Sequence, residues 1–470
     1  MDGATRSPAR IDDMATAGKY PAPRLLMLLS AAAYAASLLV LAARTPLWLD
    51  EVLTVAGPAR SAHLFDVVRW AAINTGNVPL GFLAERFAFD IFGISPLSAR
   101  APSLICSLLS CAGMAVLARQ MGFERGRALA TAAVFALLPM QFRYAYEARP
   151  YAQCLLCGIV ATIVFLRIAR SPKWLDAVFY AAAALAGLYT QPFTLFLLAA
   201  HGAWGLCCVR AAERRRVVLL WACGVAAAVA GFIPWVLLVW SGWRQGITAG
   251  HAGFGWSWSI LAMILRELPG NYVVGLALLV AIGATLRGHS EENRPVRTLL
   301  PLMILFPIVG ALVADAVSGY FFAVRQLILV LPSFALLSMA RRSRLSHIAV
   351  TAIVVASVVQ DVRAAFAPRE NWLPAASRLA SELSSGGCFV GIPFGSEVLF
   401  EFFEPKLQGH RCGGAFGLYE KVVVVVTPYT PRPSDADVYG MLQQQGFIRA
   451  DARAIGVTHL AIFLRPHGGR

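Results

Sequence analysis

Long apolar runs broken by short polar loops dominate the chain, and many of those loops are rich in arginine. A run of roughly 20 apolar residues is long enough to cross a bilayer as a helix. Such runs fall at about 25–43, 101–118, 128–139, 151–166, 174–189, 193–208, 217–240, 272–286, 299–314, 322–339 and 348–359. The pattern predicts a polytopic α-helical membrane protein with about eleven transmembrane helices. The first run imitates a secretory signal, with Ala42 and Ala43 ahead of Arg44. Its extent and its long basic leader favour an uncleaved anchor.

The polar loops orient the spans. Residues 1–24 form a polar tail with Arg6, Arg10, Lys19 and Arg24. Basic clusters then follow alternate spans: Arg119, Arg125 and Arg127; Arg167, Arg170 and Lys173; Arg210 and Arg214 to Arg216; Arg287, Arg294 and Arg297; Arg341, Arg342 and Arg344. A cytoplasmic N-terminus puts every cluster on the cytoplasmic face of a plasma (inner) membrane, as the positive-inside rule expects. The loops 44–100, 140–150, 190–192, 241–270 and 315–321 then face outward, as does the tail 361–470.

Two stretches depart from the span pattern. Segment 79–94, PLGFLAERFAFDIFGI, is apolar but carries Glu85, Arg86 and Asp90. Each charge at the centre of a spanning helix costs roughly 2.5–3.5 kcal/mol, so the segment is expected to lie in the interface as an amphipathic helix. The loop 44–100 is accordingly read as holding one or two surface helices. From about Asn371 the periodicity becomes globular, with helices at 373–383 and 435–445 and strands at 388–392, 421–427 and 459–464. This predicts a small extracytoplasmic α/β domain over 361–470, after a transmembrane module over 25–360.

Composition agrees with the pattern. The chain is 58% hydrophobic and 14% charged, against about 45–50% and about 25% in soluble domains. Its net charge of +15 sits in the inter-span loops, which points to membrane lipids and not to nucleic acid. Of nine cysteines, Cys388 and Cys412 alone lie in the outer domain, where an oxidising compartment permits a disulfide. Cys154 and Cys157 sit in an apolar helix with no second pair, so packing is the reading for them. His63, His201, His251 and His347 show no ligand spacing. Trp240, Trp243, Trp256 and Trp258 read as an aromatic belt at the outer interface.

The polar residues that remain share one depth. Asp50 and Glu51 follow the first span, and Asn77 precedes the amphipathic helix. Arg100 opens the second span. Glu147, Arg149 and Tyr151 lie between the third and fourth, and Gln191 between the fifth and sixth. Tyr320 and Arg325 begin the tenth. Arginine grips phosphate through paired N–H groups and stays charged. A carboxylate can take a proton from an attacking hydroxyl or amine. A sugar leaving from phosphate needs no second carboxylic acid, unlike glycoside hydrolysis. Structural roles remain open for each: a helix cap for Asp50 and Glu51, an exposed pair for Glu147 and Arg149, interfacial anchoring for Arg100 and Arg325.

Several of these residues carry a resemblance. Leu47-Trp48-Leu49-Asp50-Glu51 is similar to the acidic box of the GT-C glycosyltransferases that use polyprenyl- or dolichyl-phosphate sugars. The likeness is to the bacterial branch related to protein mannosyltransferases and aminoarabinose transferases (glycosyltransferase family 39-like). Asn77-Val78-Pro79-Leu80, Phe92-Gly93, Arg100-Ala101-Pro102-Ser103 and Glu147-Ala148-Arg149-Pro150-Tyr151 resemble its later motifs, as does Phe322-Ala323-Val324-Arg325-Gln326. Asn77 stands where the family often has His, and Gln326 where it has Tyr.

The resemblance implies a GT-C-like fold and an inverting glycosyl transfer. The donor would be a polyprenyl-phosphate-linked sugar, and the acceptor an extracytoplasmic glycan, lipid or protein. It implies catalytic roles for Asp50, Glu51 and Glu147, donor phosphate contacts from Arg149, Arg325 and Arg100, and a cavity lined by Asn77, Tyr151, Gln191 and Tyr320. It also raises a divalent metal near Asp50. A transporter or flippase without chemistry is an alternative reading, as is an O-antigen ligase or polymerase using a diphosphate-linked donor.

Overall fold

The computed structural model describes residues 22–75, 77–242, 258–287, 294–318, 323–367, 370–392, 396–428 and 433–466. Helix α1 (Ala22–Arg44) is followed by three short helices, α2 (Leu49–Arg60), α3 (Leu64–Trp70) and α4 (Leu80–Phe92). The bundle continues with α5 (Pro96–Gln120), α6 (Arg125–Leu137), α7 (Pro139–Ala145), α8 (Tyr151–Arg170), α9 (Trp174–Thr190), α10 (Thr194–Cys208) and α11 (Ala211–Gly242). Then come α12 (Trp258–Glu267), α13 (Tyr272–Leu286), α14 (Arg294–Ser318), a 3-10 segment (Val324–Val330), α15 (Leu331–Met339) and α16 (Arg344–Phe366).

Among the described residues α5, α8, α11, α14 and α16 are long and apolar enough to cross a membrane. Three helix pairs reach that standard only together, bent by 78° between α1 and α2, 71° between α6 and α7, and 86° between α12 and α13. Each bend falls at a proline: Pro46, Pro139 and Pro269. Proline cannot donate to the preceding turn and clashes with it, so a helix stops there and a new one starts. The other predicted spans coincide with shorter apolar helices, α9, α10 and 324–339. The chain is a multi-pass membrane protein.

The stretch 44–100 differs in one respect from expectation: it holds the three α-helices α2, α3 and α4, with a π-helical segment (Ala71–Thr75) between the last two, not one or two helices. Segment 80–92 is the amphipathic helix the charges demanded. Phe87, Ile91 and Phe92 lie exposed while Phe82, Ala88 and Phe89 are buried. Gly93 ends it at φ 72°, a conformation other residues resist.

The tail carries α17 (Leu373–Leu383), β1 (Cys388–Ile392), α18 (Glu397–Phe403), β2 (Lys421–Val426), α19 (Pro433–Gln444), β3 (Ile448–Ile455) and β4 (Thr458–Leu464). The sheet order is β1-β2-β4-β3, with β1 parallel to β2 and the other pairs antiparallel. Strand β3 was not foreseen, because its sequence, IRADARAI, is polar and largely exposed at the sheet edge. The valines of β2 alternate between faces. Val422, Val424 and Val426 pack with Val438 and Leu442 of α19, while Val423 and Val425 face α17 and α18.

The second of those cores does not stop at the tail. It continues through Trp372, Leu379 and Phe400 into Leu47, Val52 and Val55 of the first loop, and on to Phe89, Ala99 and Ala148. The tail is thus packed directly on α2. Glu370 accepts from the Leu49 amide at 3.1 Å, and Glu401 pairs with Arg60 at 3.0 Å, so both ends of α2 are tied to it.

Cys388 and Cys412 form a disulfide with Cα atoms 5.0 Å apart. It joins the start of β1 to the strand-like segment at Arg411, which bridges Phe389. Closing a loop of this size stabilises by about 3 kcal/mol. Reduction, or Cys388→Ser with Cys412→Ser, is expected to lower the thermal midpoint of the full protein in detergent. An unchanged midpoint on reduction would show that the bridge adds nothing to the tail.

Candidate active site

The site begins where α1 stops. Residues 45–48 turn the chain, and α2 starts with Asp50 and Glu51 in its first turn, where the helix dipole favours negative charge. Consecutive helix positions are about 100° apart, so these two carboxylates point to different sides. Glu51 goes inward and is fully buried; Asp50 keeps 21% of its side chain exposed.

Inside, Glu51 meets Arg100 from α5. The guanidinium lies with Nε 2.7 Å from Oε1 and Nη2 2.6 Å from Oε2, a bidentate pair with neither side chain exposed. Arg100 also donates to the carbonyls of Ala42, Thr45 and Pro46 at 2.8, 2.7 and 3.1 Å. Glu51 Oε1 accepts from the Ala148 amide at 2.7 Å. Arg100, expected at a donor phosphate, is here bonded to Glu51 and to backbone carbonyls, and Glu51, expected to be catalytic, is bonded to Arg100 and the Ala148 amide.

Outside, Asp50 meets two arginines from distant parts of the chain. Its Oδ2 is 3.2 Å from Nη2 of Arg325, at the start of the 3-10 segment, and 3.8 Å from Nη2 of Arg149. Arg149 lies in the turn between α7 and α8, and donates to Thr54 Oγ1 at 2.9 Å and to the Asp50 carbonyl at 3.2 Å. Its guanidinium lies 5.7 Å from the Tyr151 ring centroid. Burial alone would lower the Arg149 pKa, but Tyr151 and Asp50 outweigh it and hold the group above its ordinary value. Arg149 stays charged.

Glu147 is fully buried and accepts from Arg143 Nε at 3.0 Å, one helical turn earlier. Arg143 also lies over the Trp48 ring at 5.7 Å. Tyr144 and Tyr151 meet with ring centroids 4.6 Å apart and their planes tilted by 55°, beside these charges. Asn77 is exposed in the loop before α4, and Gln191 ends α9 with its amide donating to Gly187. Neither is bonded to the Asp50 group among the described residues. Tyr320 lies outside the described residues. Thr54 and Arg143 were not singled out from sequence; each sits four residues from an acid that was, which is the one local signal for them.

The residues around Asp50 do not fit a divalent cation. Two guanidinium groups face its free oxygen, and among the described residues no three His, Cys, Asp or Glu side chains gather into a metal-binding set. Cations repel a metal and attract an anion. Counted pair by pair, Arg100 belongs to Glu51 and Arg143 to Glu147, while Asp50 faces both Arg149 and Arg325. One guanidinium is in surplus, at the partly exposed end of the cluster.

Comparison with known proteins bears on the fold that carries this arrangement. The family model for dolichyl-phosphate-mannose-protein mannosyltransferase matches residues 77–240. The solved structure of ArnT from Cupriavidus metallidurans in the apo state superposes with TM-score 0.60 at 12% identity, covering 94% of this chain and 97% of that one. The chain carries the GT-C fold. The same ArnT bound to undecaprenyl phosphate matches with TM-score 0.59 at 12% identity, over 95% of this chain and 99% of that one. Arabinofuranosyltransferase AftD from Mycobacteria matches with TM-score 0.52 at 13% identity, over 95% of this chain but 42% of its own. No curated protein matches the sequence. The resemblance to GT-C glycosyltransferases is borne out by the family model over residues 77–240 and by the fold.

The two acids of the box should respond differently to substitution. Glu51→Ala or Arg100→Ala leaves a buried charge without its partner, which costs about 3–5 kcal/mol. Both variants are expected to lose yield and monodispersity in detergent. Asp50→Asn, at a partly solvated position, should keep them. Equal losses from Asp50→Asn and Glu51→Ala in a thermal melt would contradict this division of labour.

Proposed function

We propose that this GT-C protein transfers a sugar from a polyprenyl-phosphate donor to an acceptor on the outer face of the membrane, with inversion at the sugar. The observation that carries the reading is Asp50, a partly exposed carboxylate facing two arginines drawn from residues 149 and 325. A phosphodiester brings one negative charge to a place with one guanidinium in surplus. That the ArnT of similar fold binds undecaprenyl phosphate supports the same donor class here.

The resting geometry suggests an order of events. In the resting geometry Arg325 and Arg149 both face Oδ2 of Asp50, at 3.2 and 3.8 Å. The donor phosphate competes for the same guanidiniums and loosens Asp50. The acceptor oxygen or nitrogen then attacks the anomeric carbon as Asp50 takes its proton. The bond from that carbon to the phosphate oxygen breaks, its electron pair stays with the phosphate, and Arg149 and Arg325 stabilise the leaving polyprenyl phosphate. No second acid is required. Glu147 serves by fixing Arg143 and the turn that presents Arg149.

The positive-inside pattern supports an outward-facing site with the N-terminus and the arginine clusters in the cytoplasm. The tail domain, extracytoplasmic on that topology, braces α2 and so lies beside the route by which an acceptor arrives. What favours transfer over bare transport is the paired base and phosphate-binding cations. Transport of a lipid phosphate would call for the cations but not for the base.

The test is transfer of labelled sugar from a polyprenyl-phosphate donor in proteoliposomes. Asp50→Asn, at equal protein level, is expected to lose about 10²–10⁴-fold in rate with the fold intact. Arg149→Ala and Arg325→Ala should raise the donor KM more than the acceptor KM. Undiminished transfer by Asp50→Asn would remove Asp50 from the chemistry.

A further inference from the structure

One buried acid in this region has no role in the mechanism above. Glu85 on α4 is 1% exposed, and its Oε2 has no hydrogen-bond partner among the described residues. Its position follows from its helix. Residues 81, 85 and 89 share a face at i, i+4 spacing. Gly81 abuts Pro150 so closely that a Cβ there would lie 2.9 Å from the proline Cβ. Phe89 packs in one cluster with Val52 and Val55 of α2 and with Ala148. Glu85, between them, is directed at the junction of α2 with the turn that carries Arg149.

The charges acting on Glu85 are Arg149 and Glu51. Other elements packed on α4 turn their polar groups elsewhere. Arg100 of α5 is taken by Glu51, the Tyr189 hydroxyl of α9 donates to the Gly231 carbonyl, and Asp66 of α3 accepts from the His63 amide. On α4 itself, Arg86 pairs with Asp90. The buried Nε of Arg149 also lacks a partner among the described residues. An unpartnered acceptor on α4 and an unpartnered donor on the neighbouring turn are therefore both buried, and no ion pair joins them among the described residues.

Burial pushes the Glu85 carboxyl well above the ordinary carboxylate range; Arg149 pulls it back down, and the Glu51 charge pushes it up again. Burial and the Glu51 charge both favour the neutral acid over the carboxylate.

We propose that Glu85 is a positioning residue whose protonation state decides whether Arg149 is available to the lipid phosphate. The inference rests on the donor site described above. As a neutral acid, Glu85 makes no ion pair with Arg149, and the guanidinium stays turned to Asp50 and to the incoming phosphate. As a carboxylate, Glu85 draws Arg149 to itself through the free Nε–H and uses up the surplus positive charge. The neutral form prevails below its own pKa. Donor binding is therefore full below that pKa and falls as pH rises through it.

The experiment is binding of labelled undecaprenyl phosphate to the full-length protein in phosphatidylcholine nanodiscs, over a pH series from mildly acidic to alkaline. Above the turning point wild-type affinity is expected to fall by up to about tenfold per pH unit. Glu85→Gln, which cannot ionise, should show no such fall. A parallel fall in Glu85→Gln, or a flat wild-type profile, overturns the proposal. Infrared spectra of the wild type give a second reading that needs no variant. The band of a buried protonated carboxyl should fade at alkaline pH and survive to higher pH with undecaprenyl phosphate bound. A band indifferent to the ligand overturns the proposal too. A wild type that binds no undecaprenyl phosphate at any pH sinks the donor reading itself, and this inference with it.

Discussion

A guanidinium taken wholly out of water has five N–H donors to satisfy, and Arg100 satisfies them with residues from the end of α1, the bend after it and the first turn of α2. Glu51, its carboxylate partner, reaches on to the amide of Ala148. Residues 42–51, 100 and 148 are thereby locked into one frame. The frame matters because Asp50 and Arg149 are the immediate neighbours of Glu51 and Ala148. A buried ion pair of this kind adds little net stability over an apolar replacement. What it supplies here is geometry: two charged groups from distant segments are held at the mouth of the site because their neighbours are immobile.

The tail domain works on the same helix from the other side. A helix of twelve residues such as α2 is marginal by itself, so it must be held by packing. Trp372 and Phe400 pack into the cluster that contains Val52 and Val55, while Glu370 and Glu401 bind the Leu49 amide and Arg60 at its two ends. Glu401 is held in turn by Arg411, whose neighbour Cys412 is bridged to β1. The chain of contacts runs from disulfide to strand to helix to Asp50. The tail is better described as a clamp on the helix that bears the candidate base than as a separate appendage.

Much of this was legible in the sequence, and the misses have physical causes. Helical spans are written in local composition, and their breaks in proline, so the bundle could be read along the chain. The Asp50-Glu51 box was legible as a site but not its division of labour. Neighbours on a helix point apart, and nothing local says which one faces Arg100. Glu85 was legible as a charge too costly for a spanning helix, and α4 does lie outside the spans. That the same carboxyl would be buried against Arg149 depends on Gly81 meeting Pro150, a contact between residues far apart in sequence. Strand β3 was missed because an exposed edge strand carries no apolar alternation. The packing of the tail on α2 is likewise wholly non-local.

The arrangement of Asp50 also bears on why one acid can suffice. A base that is free at all times would stay ionised and hydrated at a wet interface, ready for any proton donor. Asp50 is instead held by two cations, and the group that competes best for those cations is an anion. A phosphodiester-linked donor is therefore both the ligand the arginines prefer and the agent that releases the base. A neutral glycan lacks the charge to do either. A pyrophosphate-linked donor carries more negative charge than one surplus guanidinium balances. Under the proposed function, a preference for a monophosphate carrier would come from the count of charges around Asp50, two guanidiniums to one carboxylate, before any contact with the sugar is made.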